Sequence, residues 1–317
     1  MKKPHSWLVL FLLILKTSLA QNFSAVLHLA DRAEAEALLQ TEDEFIAQLS
    51  PFDIQSRLGD RSGSKVELLS FIGSQARSFE NEEIKKLNKA AATIDSLARQ
   101  KAWHLNFPKR VYILKTTGAE EGGAAGYTRG NFIVLKEDFL KKELSVITRL
   151  LAHEAFHILS RANPNFRKEL YALIGFKMMP PISYPPLIKD RRITNPDAIQ
   201  TDAYLELEHK GQKRAFMMVL YADQDYRGGS FFKYLQIGFL ALNDQKQVAL
   251  DEEGEAQILG LKELQGSFFE QVGRNTDYIL HPEEIMAENF VMALLGESGP
   301  DRQLLKEIDA VLKKLGN

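Results

Sequence analysis

His153, Glu154 and His157 form the pattern H-E-x-x-H inside the run from Leu144 to Arg161. Two imidazoles and a carboxylate at that spacing suit the binding of a divalent metal ion and the activation of water. On an α-helix, residues four apart lie one above the other on the same face. His153 and His157 can therefore put two ring nitrogens on one ion. Glu154 leaves the axis about 100° away from His153, which sets its carboxylate beside the ion, able to take a proton from a bound water. Three fixed positions are a weak signal alone, and their setting strengthens it. Leu144, Ile147, Leu150, Leu151, Ala155, Phe156, Ile158 and Leu159 recur at the spacing of a mostly buried helix. Burying two histidines and a glutamate among such side chains is costly without partners, and a metal ion supplies them.

A catalytic zinc site uses three protein ligands and keeps one position for water. The chain contains no cysteine, so the third ligand must be another His or a carboxylate; disulfides and thiol catalysis are excluded. The best source is Tyr278 to Phe290. Pro282 suits the first position of a helix, and Glu283 and Glu284 suit its first turn. Glu284 and Glu288 are four apart and share a face. Glu283 becomes the donor if that helix is rotated. Glu206, Glu208 and His209 are alternatives on an expected strand and its turn. His281 reads as the cap of the second helix in preference to a stabiliser of the transition state.

H-E-x-x-H followed downstream by Glu284-x-x-Ala287-Glu288 resembles the gluzincin branch of zinc metallopeptidases, most closely the CaaX-processing and HtpX-type peptidases. The resemblance covers two short segments. It implies His153, His157 and Glu284 as ligands of Zn²⁺, Glu154 as general base, and Glu288 as the acid that hydrogen-bonds a liganding histidine. Two features depart from the pattern: Glu288 stands where Asp is commoner, and the gap between the two segments is long. The expected product is a zinc-dependent metalloendopeptidase acting on a peptide or protein substrate. A catalytically inactive zinc-binding relative, or an exported interaction protein with satisfied core histidines, would carry the same residues.

Other elements must position these groups. Before the metal helix, Arg110 to Lys115 and Asn131 to Leu135 read as strands around a loop with five glycines, from Gly118 to Gly130. The loop has no phosphate-binding spacing. An extended peptide can add to the free edge of such a sheet, with Tyr127 and Arg129 as candidates to face it or merely to shape the loop. Upstream, helices are expected over 31–49, stopped by Ser50-Pro51, over 65–79, and from Asn81 onward, with an irregular stretch from Phe52 to Gly63. Downstream, the proline-rich segment 178–197 reads as an extended crossing. Residues 198–260 read as β-hairpins, one pairing Ala203–His209 with Arg214–Tyr221 and one pairing Tyr234–Leu242 with Gln247–Leu250.

The expected class is α+β and zincin-like: a predominantly helical core, a small sheet before the metal helix, and a β-rich insertion at about 198–260. Residues 21–317 are expected to form one domain, with a helical N-terminal part over 21–107. Residues 1–20 carry a signal-peptide pattern: Lys2-Lys3, an apolar run from Trp7 to Leu15, and Ser18-Leu19-Ala20 before Gln21. The expected location is secreted or periplasmic, with no transmembrane segment in the mature chain. Apolar content of 45 % and charged content of 26 % fit an ordinary globular protein. A net charge of −2 without a basic, aromatic-studded cluster gives no reason to expect a nucleic-acid partner.

Overall fold

The computed structural model describes residues 22–314, so the expected signal peptide lies outside the described residues. The chain is mixed α and β, with two five-stranded sheets. Its first part runs α1 (Phe23–Val26), β1 (Leu27–Leu29), α2 (Arg32–Leu39), α3 (Glu44–Ala47), α4 (Pro51–Leu58), α5 (Lys65–Ser74), β2 (Ala76–Arg77) and α6 (Asn81–Gln100). Then come β3 (Val111–Thr116), β4 (Gly126–Arg129), β5 (Phe132–Lys136), α7 (Leu144–Ala162), α8 (Pro164–Leu173), β6 (Phe176–Met178) and α9 (Pro186–Lys189). The last part holds β7 (Ala203–His209), β8 (Gln212–Ala222), β9 (Leu235–Leu242), β10 (Ile258–Gly260), α10 (Leu261–Val272), α11 (Pro282–Leu295) and α12 (Arg302–Lys314).

The first sheet has the order β1-β3-β5-β4, with β2 also pairing to β3. Strands β1, β3 and β5 are parallel, and β4 closes the edge antiparallel to β5. Helices cover both faces, so the strands are apolar on both. Val111, Ile113, Ile133 and Leu135 face the main core, while Leu114, Phe132 and Val134 face a second cluster with Leu39, Leu68 and Ile72. Helix α7 packs on α6, α11 and β4. The aromatic rings of Phe156 and Phe290 lie 5.3 Å apart across the α7–α11 contact.

The second sheet, β10-β9-β8-β7-β6, is wholly antiparallel. Phe216 and Met218 of β8 enter the main core. Met217 and Val219, on the opposite face, are covered by Met179 and Ile188 of the proline-rich crossing.

Local chemistry explains where expectation and structure part. Ser50-Pro51 starts a helix rather than stopping one: Ser50 and Asp53 form a reciprocal capping box and Pro51 sits in the first turn, so Pro51–Leu58 is helical and not irregular. The helix expected over 31–49 is broken between Leu39 and Glu44, where Asp43 caps a new turn. The expected second helix ends at Ser74, and Ala76 and Arg77 pair with β3 instead. The glycine loop contains a strand, β4. Gln247–Leu250 forms only isolated bridges, because β10 takes the edge of β9 in its place.

Candidate metal centre

Helix α7 is buried along most of its length, and its two histidines face α11. His153 is 8 % exposed and His157 fully buried. Helix α11 starts at Pro282, capped by His281, whose Nδ1 accepts the Glu283 backbone N–H at 3.1 Å. That start directs Glu284, fully buried, between the two imidazoles. Its Oε2 lies 3.1 Å from His153 Nε2 and 3.6 Å from His157 Nε2. One ligand atom from each of the three residues lies within 4.8 Å of the other two, a group that could hold a metal ion.

The opposite ring nitrogens are held by carboxylates. Glu288 Oε1 lies 2.9 Å from His153 Nδ1, and Glu283 Oε1 lies 3.2 Å from His157 Nδ1. Each contact fixes a ring orientation and leaves Nε2 for the ion. Both carboxylates are anchored in turn. Arg149, one turn before His153, holds both oxygens of Glu288. Ser160 and Tyr171 donate to Glu283 Oε2 at 2.9 and 2.6 Å. Glu283 thus supports His157 and does not replace Glu284 as donor. Asn195 donates to Glu284 Oε1 at 2.6 Å, completing that carboxylate's orientation.

Among the described residues, five buried side-chain atoms have no hydrogen-bond partner, and two of them, His157 Nε2 and Glu154 Oε2, belong to the H-E-x-x-H residues. A native fold rarely leaves such atoms unpaired. The set of two imidazoles and one carboxylate, with an unengaged nitrogen at its centre, fits a divalent metal ion. Glu154 is approached by Gly126 of β4, where a Cβ would come within 2.8 Å of Glu154 Oε1. Glycine at this position leaves room for the Glu154 carboxylate, on which a Cβ would press.

The electrostatics follow from the packing. Burial alone would drive both imidazoles neutral, but the carboxylates outweigh it. His153 is held well above the usual histidine range by Glu284 and Glu288, and His157 is raised to about 9 by Asp197 and Glu284. Glu284 and Glu288 are held at about 2, against the effect of burial, by the histidines and, for Glu288, also by Arg149. Glu154 moves the other way, up to about 8, through burial first and Asp197 second. A metal must therefore displace protons from the imidazoles when it binds.

Tyr127 and Arg129 turn away from this centre. Tyr127 donates to the buried Glu120, and Arg129 is buried against Asp43, Leu39 and Thr41. Arg129 ties the strand to the N-terminal helices, and Tyr127 ties it to the turn at Glu120. Glu206 pairs with Lys177 and Lys213 on the second sheet, remote from the group, and Glu208 is exposed there. Sequence reasoning missed Asn195, Asp197 and Tyr278. Asp197 forms a second potential ligand group with Glu154 and His157. The Tyr278 ring stands 6.1 Å from that of His153, and its hydroxyl is pushed above the usual range by burial and by four carboxylates of the site. Only Asn195-Pro196-Asp197, a turn-forming triplet within the crossing, carried a sequence signal.

No family model matches the chain, and neither the curated proteins nor the solved structures contain a significant match.

Proposed function

We propose that this centre holds one zinc ion and that the protein is an exported, zincin-like metallopeptidase. The observation that carries the reading is the convergence of His153 Nε2, His157 Nε2 and Glu284 Oε2 beside an unpartnered Glu154 carboxylate oxygen. When bound, zinc would acidify its water and polarise a scissile carbonyl. Glu154 would take the proton from that water and later return it to the leaving amine. We assign Tyr278, whose ring stands 6.1 Å from that of His153, as the donor to an oxyanion. Strand β4 is the terminal strand of its sheet and runs beside α7. A substrate in extended form would pair with its outer edge and lie across the centre.

A mixed peptide library with mass-spectrometric readout tests this. Wild-type protein should cleave a subset of peptides. Glu154→Gln should retain zinc, while hydrolysis falls by about 10²–10⁴-fold, the range for a positioned general base. Equal cleavage by Glu154→Gln would refute the mechanism. A zinc-loaded wild type that cuts nothing would favour the inactive zinc-binding reading.

A further inference from the structure

A cavity of about 460 Å³ lies against the candidate metal centre. Its volume is in the range of pockets that hold ligands. Four of its wall residues adjoin those of the centre. A Cβ on Gly126 would press on Glu154. Asn195 donates to Glu284 Oε1 at 2.6 Å. Asp197 has a carboxylate oxygen within 4.8 Å of a Glu154 oxygen and a His157 ring nitrogen. Its Oδ1 accepts the Thr128 backbone N–H at 2.5 Å and the Thr128 hydroxyl at 2.8 Å. The Tyr278 ring stands 6.1 Å from that of His153.

The rest of the wall is mostly apolar, formed by Ile193, Leu220, Phe231, Phe232, Leu235 and Leu280. The Phe231 and Phe232 rings lie 4.3 Å apart, and the Arg57 guanidinium stands over Phe231 at 5.1 Å. Arg57 and Glu121 also border the cavity, and each holds the other. Arg57 donates to the two oxygens of Glu121 at 2.8 and 2.9 Å, to Asp53 at 2.6 Å and to the Thr194 carbonyl at 3.0 Å. An acidic side chain entering here would lose water and find no free cation among the described wall residues. A basic one would have Asp197 alone, with one oxygen already taken by Thr128. Among the described residues five large apolar side chains are exposed, and two of them, Phe232 at 50 % and Tyr278 at 45 %, stand on this wall. Apolar surface left open beside a polar centre marks a place where an apolar group binds.

We infer that this cavity receives a large apolar side chain of the substrate at a position next to the scissile bond. The site then prefers peptides that carry leucine, phenylalanine or methionine there over peptides with a charged residue. The inference rests on the metallopeptidase reading above. It assigns Phe232 and Leu235 as residues that set specificity, with no part in the chemistry.

The test uses the zinc-loaded full chain and a series of hydroxamates, which share a zinc-binding head and differ in the arm. Titration calorimetry compares acetohydroxamate with phenylpropionohydroxamate, succinic monohydroxamate and β-alanine hydroxamate, whose arms end in phenyl, carboxylate and ammonium. The phenyl arm should tighten binding roughly 10–100-fold over acetohydroxamate, the range for burying one aromatic side chain. The charged arms should gain less. Phe232→Ala, at a half-exposed position, and Leu235→Asp should each bring the ratio of phenyl to methyl affinity towards one. In the peptide library, cleaved bonds should share a large apolar residue at one fixed position, and Phe232→Ala should weaken that preference. A phenyl arm that adds nothing, or an ammonium arm that adds more, would overturn this inference alone. A chain that takes up no zinc, or takes it up and binds none of the probes, would overturn the metallopeptidase reading and this inference with it.

Discussion

At the scale of the residue, the centre is built in two layers, and the sequence exposes the inner one better than the outer. His153 and His157 are recognisable because a helix makes a spacing of four into a shared face. Glu284 is recognisable because Pro282 marks where its helix starts. Glu283 is harder to read, since a one-residue difference moves a side chain about 100° around the axis and either glutamate could face the histidines. The packing of Tyr171 and Ser160 on Glu283 decides it. Because Glu283 and Glu288 act through the imidazoles, Glu283→Gln and Glu288→Gln should each weaken zinc affinity by roughly 10–100-fold without abolishing binding. Competition against a chromophoric chelator measures this. Unchanged affinity in both variants would mean that the rings are oriented by packing alone. Gly126→Ala should leave zinc in place but displace Glu154, lowering turnover with little change in metal content; equal turnover would show that the close approach is not needed.

At the scale of the element, periodicity identified α7 and α11, and turn chemistry decided the exceptions. Ser50-Pro51 reads equally as a stop or a start until the reciprocal bond with Asp53 is seen. Strand β4 was hidden because Gly126 and the glycines flanking the strand look like loop, and its pairing partner, β5, follows only after the turn at Gly130-Asn131. The contact of Asp197 with Thr128 was illegible for a different reason: it spans 69 residues of chain. The cap of α11 has its own consequence. Burial lowers the pKa of His281 to about 4, so its ring accepts the Glu283 N–H as a neutral group. As pH falls from about 6.5, the unfolded chain takes up a proton that the folded chain refuses until about 4. This group therefore costs stability progressively across that window, and adds none of that cost above it. His281→Asn keeps an acceptor at the cap without the titration. Denaturant unfolding at several pH values should show a shallower acid loss in His281→Asn than in wild type. Parallel profiles would contradict the neutral cap.

At the scale of the whole molecule, the centre joins parts distant in sequence. It ties α7 to α11, and through Asn195 it ties both to the crossing that joins β6 to β7. Among the described residues, no helix is long and apolar enough to cross a membrane. The α+β class was legible from the change of periodicity along the chain. The strand order was not, because non-local pairs such as β1 with β3 leave no mark in a single sequence. If zinc occupies the centre, it stabilises the folded state by mass action, about 4 kcal/mol when free zinc exceeds its dissociation constant a thousandfold. Chelation should then lower the melting temperature by roughly 5–10 °C. A transition indifferent to chelator would mean that the helices are held together without the ion.

The central claim is that His153, His157 and Glu284 hold a metal, and elemental analysis of the purified protein tests it most directly. Wild type, dialysed against metal-free buffer, should retain one zinc per chain. His153→Ala and His157→Ala should retain essentially none, and Glu284→Ala far less than one. Stoichiometric zinc in Glu284→Ala, or a wild type that carries no metal even after incubation with zinc, would contradict the account.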